Sequence, residues 1–236
     1  MTKVAVFTGA GISKESGIAT FRCEDGIWTS GEVNVDEVAT ITGWNNDPQK
    51  VLDFHNKRRE ELHKVHPNDA HKALAELEQY AKVTIVTQNI DDLHERAGST
   101  DVIHIHGELL KCRSSKDPSI VYQCLEDLVL GEECELGSQL KPDTVLFGEY
   151  PLRFPEAFNA MEKCDYLIIV GTSFEIGYTS DFPAAVKEET DIYYVDPDPR
   201  MSVAMARGGK GMNLLKSGAV DGVRRVTDKI IEEINN

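Results

Sequence analysis

Residues 3–11 constrain this chain more than any other stretch. Lys3–Thr8 is almost wholly apolar and runs straight into Gly9-Ala10-Gly11. An apolar run without polar alternation fits a strand covered on both faces in a parallel sheet. The glycine turn lets a backbone approach a diphosphate and offers free amides to its oxygens. Such turns also occur without a ligand, so the residues downstream must decide. Lys14 stands where the hydride-transfer fingerprint GxGxxG needs its third glycine, which weighs against an ordinary NAD dehydrogenase.

The rest of the chain keeps the rhythm of such a sheet. Val83–Thr87, Tyr166–Val170 and Ile192–Val195 read as further buried strands. Helical periodicity covers 49–65 and 70–81. Ala70, Ala73, Leu74, Leu77 and Ala81 share one stripe of the second helix, and Pro67-Asn68-Asp69 supplies its start signal. A last helix is expected over 226–234. Strands alternating with helices predict an α/β fold, a doubly wound parallel sheet. Two stretches break the pattern. Residues 111–142 have no clear period and read as a small module inserted in the sheet domain. Residues 21–66 read as a second, helical insertion. The whole chain, 1–236, then forms one domain, its Rossmann-like part made of 1–20, 67–110 and 143–236.

Charge and cysteine content narrow the partners. The chain has 25 Lys+Arg against 40 Asp+Glu, a net charge of −15. Phosphate neutralisation needs clustered cations, so a general nucleic-acid binder is excluded. An acidic surface suits a basic partner such as a lysine-rich peptide, or serves solubility alone. Apolar runs stop at about five residues, far short of the roughly 20 that span a bilayer, so no membrane partner is expected. The first strand begins within three residues of the start, without signal-peptide character. Five cysteines, at 23, 112, 124, 134 and 164, fit a reducing cytoplasm better than a disulfide framework.

Polar motifs follow the strands, where open α/β sheets bind ligands. Gln88-Asn89-Ile90-Asp91 could read an amide or a ribose, or Asp91 could simply cap the helix that follows. His106 in Ile105-His106-Gly107-Glu108 could act as a general base, with His104 a competitor and a structural role open for either. Gly171-Thr172-Ser173 can bond a phosphate or ribose. Asp196 can bind a ribose hydroxyl, or merely open the turn Asp196-Pro197-Asp198-Pro199.

Together GAGISKESGI–TFR, TQNIDDLHERAG, HIHGEL, FGE and VGTS stand in the order seen in sirtuins, the NAD-dependent protein deacylases. The chain resembles that family over essentially its full length. The resemblance implies that Gly9, Ala10, Gly11, Ile12, Phe21 and Arg22 bind NAD around its diphosphate and nicotinamide ribose. Gln88, Asn89, Ile90 and Asp91 would line the nicotinamide pocket, Gln88 and Asn89 beside the chemistry. Gly171, Thr172, Ser173, Asp196 and Ala219 would hold the adenosine half, with Asp196 where the family usually has Asn. His106 would be the catalytic base. Val145, Phe147, Gly148 and Glu149 would form an edge for the substrate backbone, a strand-addition mode. The implied reaction is group transfer. The acyl-lysine carbonyl oxygen attacks C1′ of the nicotinamide ribose, nicotinamide leaves, and His106 helps deprotonate a ribose hydroxyl. The products would be free lysine, nicotinamide and O-acyl-ADP-ribose. A monomer is the expected state.

Two details mark this chain within the resemblance. On the helix at 49–65, Val51, His55, Arg58, Leu62 and Val65 share one stripe, and a guanidinium in an apolar face needs an anion or hydrogen-bond partners. Deacylases that remove succinyl and malonyl groups carry an Ala, then a Tyr and an Arg three residues apart. Here Ala39 and Arg58 fit, and His55 replaces the tyrosine, so acidic acyl removal is expected with acetyl removal as its competitor. Most sirtuins also hold a zinc through two CxxC pairs. Cys112, Cys124 and Cys134 form no such pair, and Gly131 stands where a partner of Cys134 would be, so no metal is expected. Cys23 and Cys164 read as small core or loop residues. The alternatives are an NAD glycohydrolase or ADP-ribosyltransferase, which cleaves the same bond, and a non-catalytic NAD or ADP-ribose sensor.

Overall fold

The computed structural model describes residues 1–20, 33–200 and 211–236. In chain order, β1 (Lys3–Thr8) is followed by three helices, α1 (Val35–Val38), α2 (Ile41–Asn46) and α3 (Pro48–Leu62). Next come α4 (Asp69–Leu77), β2 (Lys82–Thr87), α5 (Leu93–Ala97) and β3 (Val102–His104). Strands β4 (Gly107–Ser114), β5 (Val121–Gln123) and β6 (Leu140–Thr144) build the small module. The chain returns through α6 (Phe154–Lys163), β7 (Tyr166–Val170), α7 (Phe182–Ala185) and β8 (Asp191–Val195). It ends with β9 (Met212–Leu215) and α8 (Ala219–Asn235).

The main sheet has six strands in the order β3-β2-β1-β7-β8-β9, all parallel. Its central strands β1 and β7 are almost continuously apolar because both faces are covered. Val4, Val6, Ile168 and Val170 join one core cluster beneath α4 and α8, while Ala5, Phe7, Leu167 and Ile169 join the other beneath α6 and α7. Successive side chains point to opposite faces, so each strand feeds both layers. The expected sheet class is the observed one.

Element ends differ in instructive ways. Helix α8 starts at Ala219, seven residues before the expected 226, with Glu15 Oε1 accepting the Val220 amide at 3.0 Å. A Cβ on Gly222 would meet Val195 Cγ1 at 2.2 Å, so this glycine lets α8 lie tightly on β8. Helix α3 stops at Leu62, three residues short of the expected end, and α4 at Leu77. β3 and β9 were not expected; each is only three or four residues long.

The stretch without a clear period forms an antiparallel three-stranded sheet, β5-β4-β6. Its core is small: Leu52 from α3 with Cys112, Cys124 and Leu128. Helix α3 also fastens it through polar groups. Asn56 donates from Nδ2 to Leu128 O at 3.0 Å and accepts the Leu128 amide on Oδ1 at 3.0 Å. Arg59 donates to Leu109 O at 3.2 Å and to Asn56 Oδ1 at 2.7 Å.

Candidate active site

The strand order fixes where a ligand can lie. From β1 the chain winds outward through β2 and β3, and from β7 it winds the other way through β8 and β9. The carboxyl ends of β1 and β7 therefore flank the topological switch point, the crevice in which open sheets bind dinucleotides. Gly9-Ala10-Gly11 leaves β1 there and Gly171-Thr172-Ser173 leaves β7.

The two turns close on each other. A Cβ on Gly11 would sit 2.5 Å from Gly171 Cα, and Gly171 has φ +59°, so both positions demand glycine. The amides of Gly9 and Gly11 donate to Val170 O and Gly171 O at 3.0 and 2.9 Å, and the Ile12 amide to Gly9 O. This corrects the expectation of free glycine amides. The glycines join the strands, and the amides left without a main-chain partner among the described residues are those of Ala10, Thr172 and Ser173. Ile12 is fully buried in the core, so it shapes the turn from below.

Side chains from β1, β2 and β7 are stitched across this crevice. Ser13 donates to Asp91 Oδ2 at 3.0 Å and accepts from Asn89 Nδ2 at 3.2 Å. Gln88 Nε2 donates to Thr172 Oγ1 at 3.1 Å. Asp91 also accepts the Leu93 amide on Oδ1 at 3.2 Å, so it caps α5 while reaching into the site. Burial raises its pKa to about 6, against the pull of those two hydrogen bonds. Ile90 packs partly buried beside Leu93 and Leu109.

The two histidines separate cleanly. His104 is buried, with Nδ1 on Asn89 O at 2.8 Å and Nε2 on the Glu95 carboxylate at 2.8 Å. Burial pulls its pKa down, but the Glu95 carboxylate outweighs it and the net shift is upward. Both nitrogens are committed, so His104 is structural. The chain turns at 105–106 and aims His106 elsewhere. His106 Nδ1 lies 2.9 Å from Gln88 O, which only accepts, so the proton sits on Nδ1 and Nε2 carries a lone pair. Burial lowers its pKa to about 4, leaving a neutral imidazole at pH 7. The Tyr178 hydroxyl donates to Nε2 at 2.6 Å. Ser13 and Tyr178 were not singled out in the sequence. Ser13 lies inside the glycine motif; Tyr178 lies 72 residues from His106 in a segment without a pattern.

On the adenosine side, Asp196 follows β8 and Ala219 is buried at the start of α8. Asp196 Oδ1 accepts the Asp198 amide at 2.8 Å, so it does open the turn, and partial burial raises its pKa. Phe21, Arg22 and Cys23 lie outside the described residues.

Of the candidate substrate residues, Ala39 meets the segment after β6 that carries Val145, Phe147, Gly148 and Glu149, His55 reaches Thr144 at the end of β6, and Arg58 stays against its own helix. Phe147 donates its amide to Ala39 O at 2.8 Å and accepts the Ile41 amide at 3.1 Å. Its main chain is thus already paired, as is the Val145 amide, which donates to His106 O at 2.8 Å. Glu149 binds inward: it accepts from Arg113 Nη2 at 2.7 Å, Lys141 Nζ at 2.5 Å and the Leu146 amide at 2.9 Å. His55 is buried, with Nδ1 on Val51 O at 2.8 Å and Nε2 on Thr144 Oγ1 at 3.0 Å. Burial lowers its pKa to about 4. Neutral and doubly bonded, it offers no donor to a carboxylate. Arg58 donates to Glu61 at 2.8 Å and lies over the Phe54 ring, with its Nε buried and unpartnered. The fully buried arginine of α3 is Arg59, since the inward face is Val51, Leu52, His55, Arg59 and Leu62.

Cys112 and Cys124 share the module core, and Cys134 Sγ lies 3.1 Å from Ser138 Oγ. Among the described residues no three His, Cys, Asp or Glu side chains are placed to hold a metal ion. Cys164 is buried beneath the sheet and bonds Met161 O at 3.1 Å.

Comparison with known proteins decides the family. The Sir2 family profile matches residues 9–177. This chain belongs to the Sir2 family. It is 44% identical over 232 residues to an NAD-dependent protein deacylase of Helicobacter pylori strain ATCC 700392 / 26695, covering 98% of this chain and 99% of that one. A deacylase of the same description from Bacteroides thetaiotaomicron is 38% identical over 237 residues, again covering 98% and 99%. Among solved structures, a Sir2 homologue in complex with NAD superposes with a TM-score of 0.83 at 32% identity, over 98% of this chain and 90% of that one. A Sir2 protein with a deacetylated p53 peptide and 3′-O-acetyl-ADP-ribose gives 0.79 at 25% identity, over 96% and 93%.

Proposed function

We propose that this Sir2 family member is an NAD-dependent protein-lysine deacylase. The observation that carries the reading is the neutral His106 at the switch point. Its Nδ1 proton is fixed by Gln88 O, and its Nε2 lone pair accepts the Tyr178 hydroxyl, which must yield that place to a substrate hydroxyl. The donor set around it fits a dinucleotide: Ser13, Gln88, Asn89 and Thr172, with Asp91 and Asp196 for hydroxyl groups. NAD, when bound, supplies the ribose carbon that accepts the acyl oxygen. Residues Gly9–Ile12 and Gly171–Ser173 would seat its phosphates and adenosine half, and Gln88, Asn89 and Asp91 its nicotinamide end. His106 Nε2 would take the proton of a ribose hydroxyl, which its neutral form allows. Val145, Gly148 and the neighbouring main chain would hold the acyl-lysine backbone.

For the acyl group, Arg58 favours a succinyl or malonyl chain, because its planar fork matches a carboxylate and its Nε lacks a partner. A specific observation favours neutral acyl groups as a second reading: Glu61 already pairs with Arg58, and His55 is committed to Thr144. Side-by-side turnover of succinyl- and acetyl-lysine peptides by wild type and Arg58→Ala tests the choice. Selective loss of succinyl turnover supports the acidic-acyl reading; equal loss of both sinks it.

A further inference from the structure

The small module carries an open groove over its core that the active site does not use. The cavity measures about 660 Å³ and is floored by Cys112, Cys124, Tyr122, Leu128 and Leu140. Leu125 stands at its edge, 53% exposed. Val129, Leu130 and Leu136, from the same stretch of chain, are 48%, 47% and 61% exposed. One exposed leucine is ordinary, but four exposed aliphatic side chains in the twelve residues 125–136, one of them at the cavity edge, are more than a solvated stretch needs. The rim has one sign of charge: Glu126, Asp127, Glu132, Glu133 and Glu135 line it. No lysine or arginine occurs in 121–136. The module's ion pairs join Lys111 to Glu108, and Arg113 and Lys141 to Asp143 and Glu149, and reach none of these five carboxylates.

We propose that this groove is an exosite for the substrate protein, receiving a segment whose one or two aliphatic or aromatic side chains are flanked by lysine or arginine. The inference rests on the deacylase reading. Charge complementarity selects the occupant, because a cation-flanked apolar segment satisfies rim and floor together. A second copy of this chain would oppose like charges at the rim. Position supports the same occupant. Leu140 lines the groove and opens β6, which leads directly into Val145–Glu149, where the acyl-lysine would lie. The five residues of β6 span about 17 Å at roughly 3.4 Å per residue. A substrate segment reaching both places in extended form needs about five residues or more between acyl-lysine and anchor.

The test compares two peptides on the intact enzyme, an acyl-lysine core alone and the same core extended by eight residues ending in alternating lysine and leucine. The expected result is a KM about tenfold lower for the extended peptide, with unchanged kcat and an advantage that fades at high salt. The E132K/E133K/E135K variant should abolish that advantage and leave core-peptide kinetics unchanged, and Leu125→Asp should do the same. Equal KM values on wild type, or an advantage that survives both variants, overturns the proposal. Fluorescence anisotropy of the labelled extension, without acyl-lysine or NAD, reads the groove even if neither peptide turns over. Binding lost in the triple variant then supports the exosite, and no binding overturns it. A wild-type dimer in sedimentation that the triple variant dissolves assigns the groove to a second copy and also overturns it.

Discussion

Strand β7 sends Leu167, Ile168, Ile169 and Val170 into two apolar clusters, one on each face of the parallel sheet. Strand β5, in the module, contributes no buried residue at all. The sheet is held by apolar burial on two sides. The module has four buried core side chains, two of them cysteines, and leans on Asn56, Arg59 and His63 of the α3 segment for its order. A buried ionic cluster of Arg113, Lys141, Asp143 and Glu149 adds to this. The sheet therefore positions Ser13, Gln88, Asn89 and Thr172 rigidly, while the segment 145–149 depends on polar contacts that are individually small.

The difference can be broken from both ends. Ile168→Ala, at a fully buried site, should cost about 4 kcal/mol and lower the midpoint of global unfolding in denaturant for every probe. Arg113→Ala should cost about 3 kcal/mol, because it leaves the buried Asp143 carboxylate without its cation and Glu149 with Lys141 alone. Its damage should concentrate in the module and at 145–149. Asn56→Ala should cost about 2 kcal/mol through the two lost bonds to the Leu128 main chain. Hydrogen exchange should then rise at 121–130 and stay unchanged in β1, β2 and β7. If exchange rises equally in the sheet, the two regions are one cooperative unit and the comparison fails.

Protonation sharpens the contrast. His55, His71 and His106 each have a pKa lowered to about 4, with burial the leading cause. The unfolded chain binds their protons below about pH 6.5 and the folded chain does not. Asp91 and Asp143, which burial raises to about 6, take up protons on folding and offset part of this, so the three histidines leave a net fall in stability as pH drops from about 6.5 toward 4, which urea titrations at several pH values would show. The smallest effect concerns the base itself. Tyr178 donates to His106 Nε2 and so favours the neutral ring; Tyr178→Phe should move the acid limb of kcat/KM upward by roughly half a unit. A limb that stays in place would show that Tyr178 leaves the base before chemistry.

Much of this was legible in the residues. The apolar run of β1 and its glycine turn announced a parallel sheet with a ligand at its carboxyl end, because burial on both faces leaves that pattern. Spacing alone left His106 and His104 as competitors and only the resemblance chose His106, since the turn at 105–106 decides which ring meets Glu95 and which meets Gln88 O. The stripe through Arg58 does not reach Arg59, the buried arginine of α3, because neighbouring residues stand about 100° apart on a helix. The module strands escaped notice because β5 has only three residues and is not buried. Tyr178 has no local signal; only the tertiary fold brings it to His106.

The most direct test of the account is mass spectrometry of one reaction containing NAD, a succinyl-lysine peptide and an acetyl-lysine peptide. Wild type should yield O-acyl-ADP-ribose together with deacylated lysine, and His106→Ala should slow this by at least about a hundredfold. Plain ADP-ribose with both peptides untouched would contradict the deacylase account and assign the site to NAD hydrolysis. Undiminished O-acyl-ADP-ribose from His106→Ala would remove His106 from the role of base.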